Sequence, residues 1–167
     1  MLAALADIAA EAGALLKARR QTIAVVDGST GGLISASLLA MPGASAFYLG
    51  GGVIYTLKGR RIVLDHPPGS LRGFTSATED YAIAQARLIR ERYGADWGIA
   101  ETGASGGSAH PLGVASGTSA VGLAGPDGIA ASTLTVTDSN DRLANMQSFT
   151  QRALELLRDA LVAHSGK

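Results

Sequence analysis

None of the 167 residues is cysteine. That excludes a disulfide framework, a zinc–thiolate site and a thiol nucleophile, so any covalent chemistry must use oxygen or nitrogen. It also suits a reducing compartment, and a cytoplasmic location is expected. Net charge is missing as well: 14 basic residues offset 14 acidic ones, and no run of Lys or Arg creates a local field. Neither nucleic acid nor a membrane surface is therefore expected as a partner. His66, His110 and His164 are scattered without metal-ligand spacing, so no metal and no cofactor is expected. From Gly28 to Leu57 there is no charged residue at all, a stretch long enough to span a bilayer. Pro42, Gly43 and the glycines at 50–52 divide it into pieces too short to cross, and two buried elements of an α/β core are expected instead. Asp7 and Glu11 stand where an export signal would need a basic start and an unbroken apolar centre, so the mature chain is expected to begin at Met1.

What is there supports one well-buried core: 47% of the residues are hydrophobic, over a length short for two domains. A single domain over residues 1–167 is expected. Leu2, Leu5, Ala6, Ala9, Ala12 and Leu16 recur at helical spacings over residues 2–19, and Arg19 and Arg20 suit the negative end of the helix dipole. Thr22 to Val26 reads as a buried β-branched strand, turning at Asp27-Gly28-Ser29 into a helix that begins near Thr30. Ala46 to Tyr55 reads as a second strand and Arg61 to Leu64 as a third. Ser76, with Glu79 three residues on, predicts a capped helix through about Arg92. Asp96 to Ala100 is expected as a strand ending in the loop TGASGGSAHPLG, followed by a hairpin of residues 114–123 and 129–136 around Gly125-Pro126-Asp127-Gly128. A helix over residues 140–163 closes the chain. The order implies an α/β fold, a mixed sheet covered by helices.

In such sheets ligands gather at the carboxyl ends of strands, which singles out the loops after Val26, Tyr55 and Ala100. The turn from Gly28 to Gly32 opens a helix, and Gly31 and Gly32 would let a phosphate approach the backbone N–H groups of Thr30 to Gly32. The alternative is that Ser29 or Thr30 merely caps the helix. The turn matches neither a Walker A loop nor GxGxxG nor a GxSxG elbow. Asp27 and Glu101 fall at the same rim, where they could form an acid/base pair or hold a divalent cation; capping of backbone N–H groups is the commoner role.

Taken together the motifs resemble the CinA C-terminal domain family, the competence and damage-inducible proteins that include nicotinamide mononucleotide deamidases. The likeness runs through Thr30-Gly31-Gly32, Pro42-Gly43-Ala44-Ser45-Ala46, Gly51-Gly52-Val53 with Tyr55, and Gly73 with Ser76. It continues through Thr102-Gly103, Gly106-Gly107, Pro111 with Gly113, and Asp141-Arg142 at the head of the last helix. It implies a pocket for a pyridine nucleotide whose amide is hydrolysed by a serine assisted by a lysine, with a tyrosine nearby. It also implies ligand-binding roles for Thr30, Gly31, Gly32, Ser45, Arg60, Thr102, Gly103, Gly106 and Arg142.

Both key positions depart from the family pattern, and two others do as well. Where the family reads Ala-Glu-Ser-Cys-Thr-Gly-Gly, this chain reads Val26-Asp27-Gly28-Ser29-Thr30-Gly31-Gly32, so the serine falls on Gly28. The lysine falls on Arg60, which cannot act as a base, and Lys58 lies two residues earlier. A basic residue before the proline is His110, and the arginine one turn after Arg142 is Met146. Three readings follow. The domain binds a small-molecule nucleotide or phosphate ligand with amidase activity lost or weakened; or it is an active amidohydrolase using Ser29 with Lys58 or Tyr55; or it is a non-catalytic module. The uncharged glycine-rich segments would favour a homo-oligomer.

Overall fold

The computed structural model describes residues 1–164; the last three residues of the expected domain lie outside the described residues. Five strands form one sheet in the order β2-β1-β3-β4-β5. They are β1 (Ile23–Asp27), β2 (Tyr48–Val53), β3 (Trp97–Ala104), β4 (Thr118–Ala124) and β5 (Ala130–Val136). β1 runs parallel to β2 and β3, whereas β4 is antiparallel to both of its neighbours, so the sheet is mixed. The helices are α1 (Leu2–Ala18), α2 (Leu33–Leu39), α3 (Leu57–Leu64), α4 (Glu79–Tyr93) and α5 (Arg142–Ala163).

The sheet has a core on each face. α1, α2 and α5 bury Leu5, Leu16, Ile34, Leu38, Leu154 and Leu157 against Ile23, Val25, Trp97, Ile99 and Leu123. On the other face α3 and α4 bury Leu64, Tyr81, Ala86 and Ile89 against Ala24, Val26, Ala100 and Ala124. α4 lies directly on the sheet because β3 and β4 present glycines beneath it. A Cβ at Gly122 would collide with the backbone of Ala82 and Ile83, and one at Gly98 with the carbonyl of Ala86. The chain leaves β1 toward α2 on one face and leaves β2 toward α3 and α4 on the other. The carboxyl ends of β1, β2 and β3 therefore flank a crevice of the kind that holds ligands in α/β sheets.

Several elements differ from the sequence reading. Arg61–Leu64, expected as a strand, forms the end of α3: Thr56 caps that helix by accepting the Gly59 N–H, and Leu64 is drawn into the core while Ile62 stays exposed. The helix expected near Thr30 begins only at Leu33, since Gly31 and Gly32 are left-handed, at φ +66° and +99°. Thr78, not Ser76, occupies the cap position of α4, and positive φ at Ala77 turns Ser76 away from it. β3 continues four residues beyond Ala100, because β4 pairs with it antiparallel from Gly98 to Ala104. Among the described residues no helix is long and apolar enough to cross a membrane.

Candidate functional site

A cavity of about 400 Å³ opens at the carboxyl ends of β1, β2 and β3. Its walls come from four separated stretches: the turn after β1, the β2–α3 connection with Arg60, the head of α4, and the end of β3 with the loop beyond it. Arg142, the first residue of α5, reaches in from the side.

The floor is a buried carboxyl group. Glu101 has no exposure and sits inside β3, opposite Val121. Oε1 accepts the hydroxyls of Ser29 and Ser119, each at 2.6 Å, and Oε2 accepts the Thr30 N–H at 3.0 Å. Burial pushes the carboxyl above the ordinary carboxylate range; the three donors work against that shift, and the charge of Asp27 adds to it. Asp27, also fully buried, accepts the Thr30 hydroxyl at 2.7 Å, the Ser35 hydroxyl at 2.6 Å, and the N–H groups of Ile34 and Ser35 at 2.9 and 3.2 Å. It binds the start of α2, the capping role that such residues commonly have. Among the described residues no group of three or more His, Asp or Glu is placed to hold a metal ion.

Gly28 and Gly103 shape the ground around Ser29. A Cβ on Gly28 would press on the Glu101 carbonyl oxygen and lie 3.2 Å from Glu101 Oε2. A Cβ on Gly103 would lie 2.8 Å from Ser29 Oγ and 2.5 Å from the Thr118 carbonyl oxygen. The position to which the family serine falls therefore has no hydroxyl and no room for one without moving the backbone of β3.

Positive charge lines the upper wall. Arg60 donates from one terminal nitrogen to the Tyr81 hydroxyl at 2.5 Å, and its guanidinium lies 5.8 Å from the Tyr81 ring centroid. Its Nε is buried without a partner among the described residues. Arg142 donates to the Gly106 carbonyl at 2.8 Å and to the Tyr55 hydroxyl at 3.3 Å, tying the loop after β3 to the loop after β2.

The cavity thus collects Ser29, Tyr55, Arg60, Thr102, Gly103, Gly106 and Arg142. Lys58 is exposed on α3 and does not line it. Ser45 is exposed in a short 3₁₀ turn that precedes β2, at the amino end of the strand, remote from the cavity beyond Val53. Thr30, Gly31 and Gly32 do not line the cavity. The N–H of Thr30 is held by Glu101 and that of Gly31 by the Gly28 carbonyl at 3.1 Å, so a phosphate at this turn would have to displace partners already in place. Sequence reasoning gives no role to Ser119, Tyr81 or Gln85, and places Glu101 at a strand end, whereas β3 continues through it to Ala104. The available signal was that Glu101 is the one charged residue in WGIAETGA, a run otherwise suited to a buried strand.

The fold and this cavity define an α/β domain with a crevice at its strand ends. The model of the CinA C-terminal domain matches residues 5–161, and the chain belongs to that family. It is 35% identical over 153 residues to a CinA-like protein of Desulfosudis oleivorans, covering 92% of this chain and 37% of that protein. A CinA-like protein of Parasynechococcus marenigrum is 34% identical over 152 residues, 91% of this chain and 36% of that one. The chain thus spans little more than a third of the length of these curated relatives. Among solved structures, the competence damage-inducible protein A of Klebsiella pneumoniae subsp. pneumoniae superposes with a TM-score of 0.85 at 24% identity, covering 97% of this chain and 99% of that one. A CinA superfamily protein from Enterobacter cloacae gives 0.84 at 24%, covering 94% and 92%. At that identity the likeness bears on the fold, a mixed α/β sheet with helices on both faces.

Proposed function

We propose that this domain binds a pyridine nucleotide or a related phosphate-bearing ligand in the crevice, and that the serine–lysine route to amide hydrolysis is lost or greatly weakened. The observation that carries the reading is Arg60. Its guanidinium is fixed by Tyr81 at the cavity wall, with Nε buried and unpartnered among the described residues. A buried N–H without an acceptor is costly, and a bound anion would satisfy it. Arg142 offers a second cation at the cavity, and a volume of about 400 Å³ is in the range of small-molecule sites. The amidase half of the reading rests on Gly28, which lacks the hydroxyl, and on Arg60, which cannot accept a serine proton. Titrating the purified domain with nicotinamide mononucleotide and with its acid product, while following ammonia, tests both halves. Binding of the nucleotide without enzymatic release of ammonia is expected; no binding of either compound overturns the ligand assignment, and rapid ammonia release overturns the loss of the amidase.

A further inference from the structure

Ser29 is placed unlike an ordinary capping serine. Its hydroxyl points to a carboxylate oxygen 2.6 Å away, on a glutamate with no solvent exposure, and the residue lines the cavity. The glycines at 28 and 103 leave that hydroxyl uncovered, since a side chain at Gly103 would crowd Oγ at 2.8 Å. Glu101 is held from the far side by the Ser119 hydroxyl and the Thr30 N–H, so the carboxyl group cannot swing away from Ser29. Lys58 does not line the cavity, and Tyr55 is engaged by Arg142.

We propose that Ser29 and Glu101 form a nucleophile–base pair that hydrolyses carboxylic esters entering this cavity, resting on the reading above only in taking the crevice as the ligand site. In the first half-reaction Glu101 accepts the Ser29 proton as Oγ bonds to the ester carbonyl carbon. The tetrahedral adduct then collapses, the carbon–oxygen bond to the alcohol breaks, and the proton passes from Glu101 to the departing alkoxide. In the second half a water gives its proton to Glu101 and attacks the acyl-Ser29 carbon. The bond to Oγ breaks, Oγ recovers the proton, and the carboxylic acid leaves; ester and water become acid and alcohol.

The substrate class follows from the base. A carboxylate is a weaker base than imidazole or a neutral lysine, so it leaves serine less activated and requires a more electrophilic carbonyl than a carboxamide. Burial offsets part of that deficit by raising the proton affinity of Glu101, and Asp27 on β1 adds a like charge in the same direction.

The test uses the whole chain, a fluorophosphonate reagent that captures activated serines, and 4-nitrophenyl acetate as ester. The wild-type protein is expected to be labelled at Ser29, identified by peptide mass, and to hydrolyse the ester; Ser29→Ala should do neither. Glu101→Gln should be labelled about 100-fold more slowly or worse, the usual scale of a general base. The labelling rate of the wild type should rise with pH through one ionisation that Glu101→Gln lacks. If Glu101→Gln does not fold, the wild type still decides: folded protein whose Ser29 remains unlabelled overturns the pair. Labelling at Ser29 without nucleotide binding supports the pair and overturns the nucleotide reading; binding without labelling does the reverse.

Discussion

Glu101 is a fully buried carboxyl group at the floor of the site. Its folded-state affinity for a proton lies above the ordinary carboxylate value, chiefly through burial. The stability it contributes is thus fully present below the unfolded value of about 4.3 and is lost as pH rises through the raised folded value. Glutamine at this position can mimic the neutral acid: the amide oxygen accepts the Thr30 N–H, and the amide NH2 donates toward Ser29 and Ser119. The melting temperature of the wild type should fall relative to that of Glu101→Gln as pH rises from about 4 upward. A constant difference between the two across that range would mean that Glu101 titrates as an ordinary carboxyl. Gly28 makes the opposite point, because its role is to have no side chain. The Glu101 carbonyl occupies the space of a Cβ, and this is strand backbone that cannot rotate aside. Gly28→Ser, the change that restores the family pattern, should destabilise the domain by about 1–3 kcal/mol in urea unfolding, the scale of overpacking. Unchanged stability would show that the gap between β1 and β3 opens readily. The obstacle at Gly28 is the neighbouring strand, which no local pattern reveals.

At the scale of elements, legibility followed how local the cause was. α1, α5, β1, β5 and the turn before β5 carry their own periodicity and turn residues, and each forms close to where the sequence places it, whereas β4 begins at Thr118, four residues later than expected. β3 was truncated in the sequence reading because Glu101-Thr102-Gly103 looks like a polar loop. The partner that makes it a strand, Thr118–Val121, lies beyond a glycine-rich connection. α3 was misread for the converse reason: Ile62 and Val63 favour a strand locally, whereas the Thr56 cap and the burial of Leu64 decide for a helix. The seat of α4 on the sheet was equally hidden, since Gly122 reads only as a weak point in a strand. Replacing Gly122 with alanine should lower stability by about 1–3 kcal/mol, because the methyl meets backbone at Ala82 and Ile83, not a side chain that can rotate away. An alanine tolerated without loss would mean that α4 shifts freely on the sheet. The same change should disturb the cavity, as α4 carries the Tyr81 that fixes Arg60.

For the whole molecule, the cavity exists only because the order β2-β1-β3 brings together residues far apart in the chain. Ser29 meets Glu101 across 72 positions, and Arg142 meets Tyr55 across 87. The resemblance supplied most of these residues, but only the assembled sheet shows that Lys58 and Ser45 lie outside the group. It also shows that the N–H groups of Thr30 and Gly31 already have partners in Glu101 and the Gly28 carbonyl. Arg60 and Arg142 come from different elements, α3 and α5, and they are not equivalent. Arg142 has two partners of its own, so Arg142→Ala both removes a cation and releases the tie between Gly106 and Tyr55. Arg60 holds Tyr81 with one terminal nitrogen and keeps Nε free among the described residues, so Arg60→Ala is the cleaner test of charge. Loss of one charge-assisted hydrogen bond is worth about 1.5–3 kcal/mol, so Arg60→Ala should weaken nicotinamide mononucleotide binding by roughly tenfold or more. The corresponding nucleoside, which has no phosphate and keeps its cationic pyridinium ring, should lose no affinity in Arg60→Ala. Raising the salt concentration should weaken binding of the nucleotide and should not weaken that of the nucleoside. If both ligands lose affinity together, Arg60 shapes the cavity and does not grip the phosphate. If Arg142→Ala alone separates nucleotide from nucleoside, the phosphate lies on the α5 side.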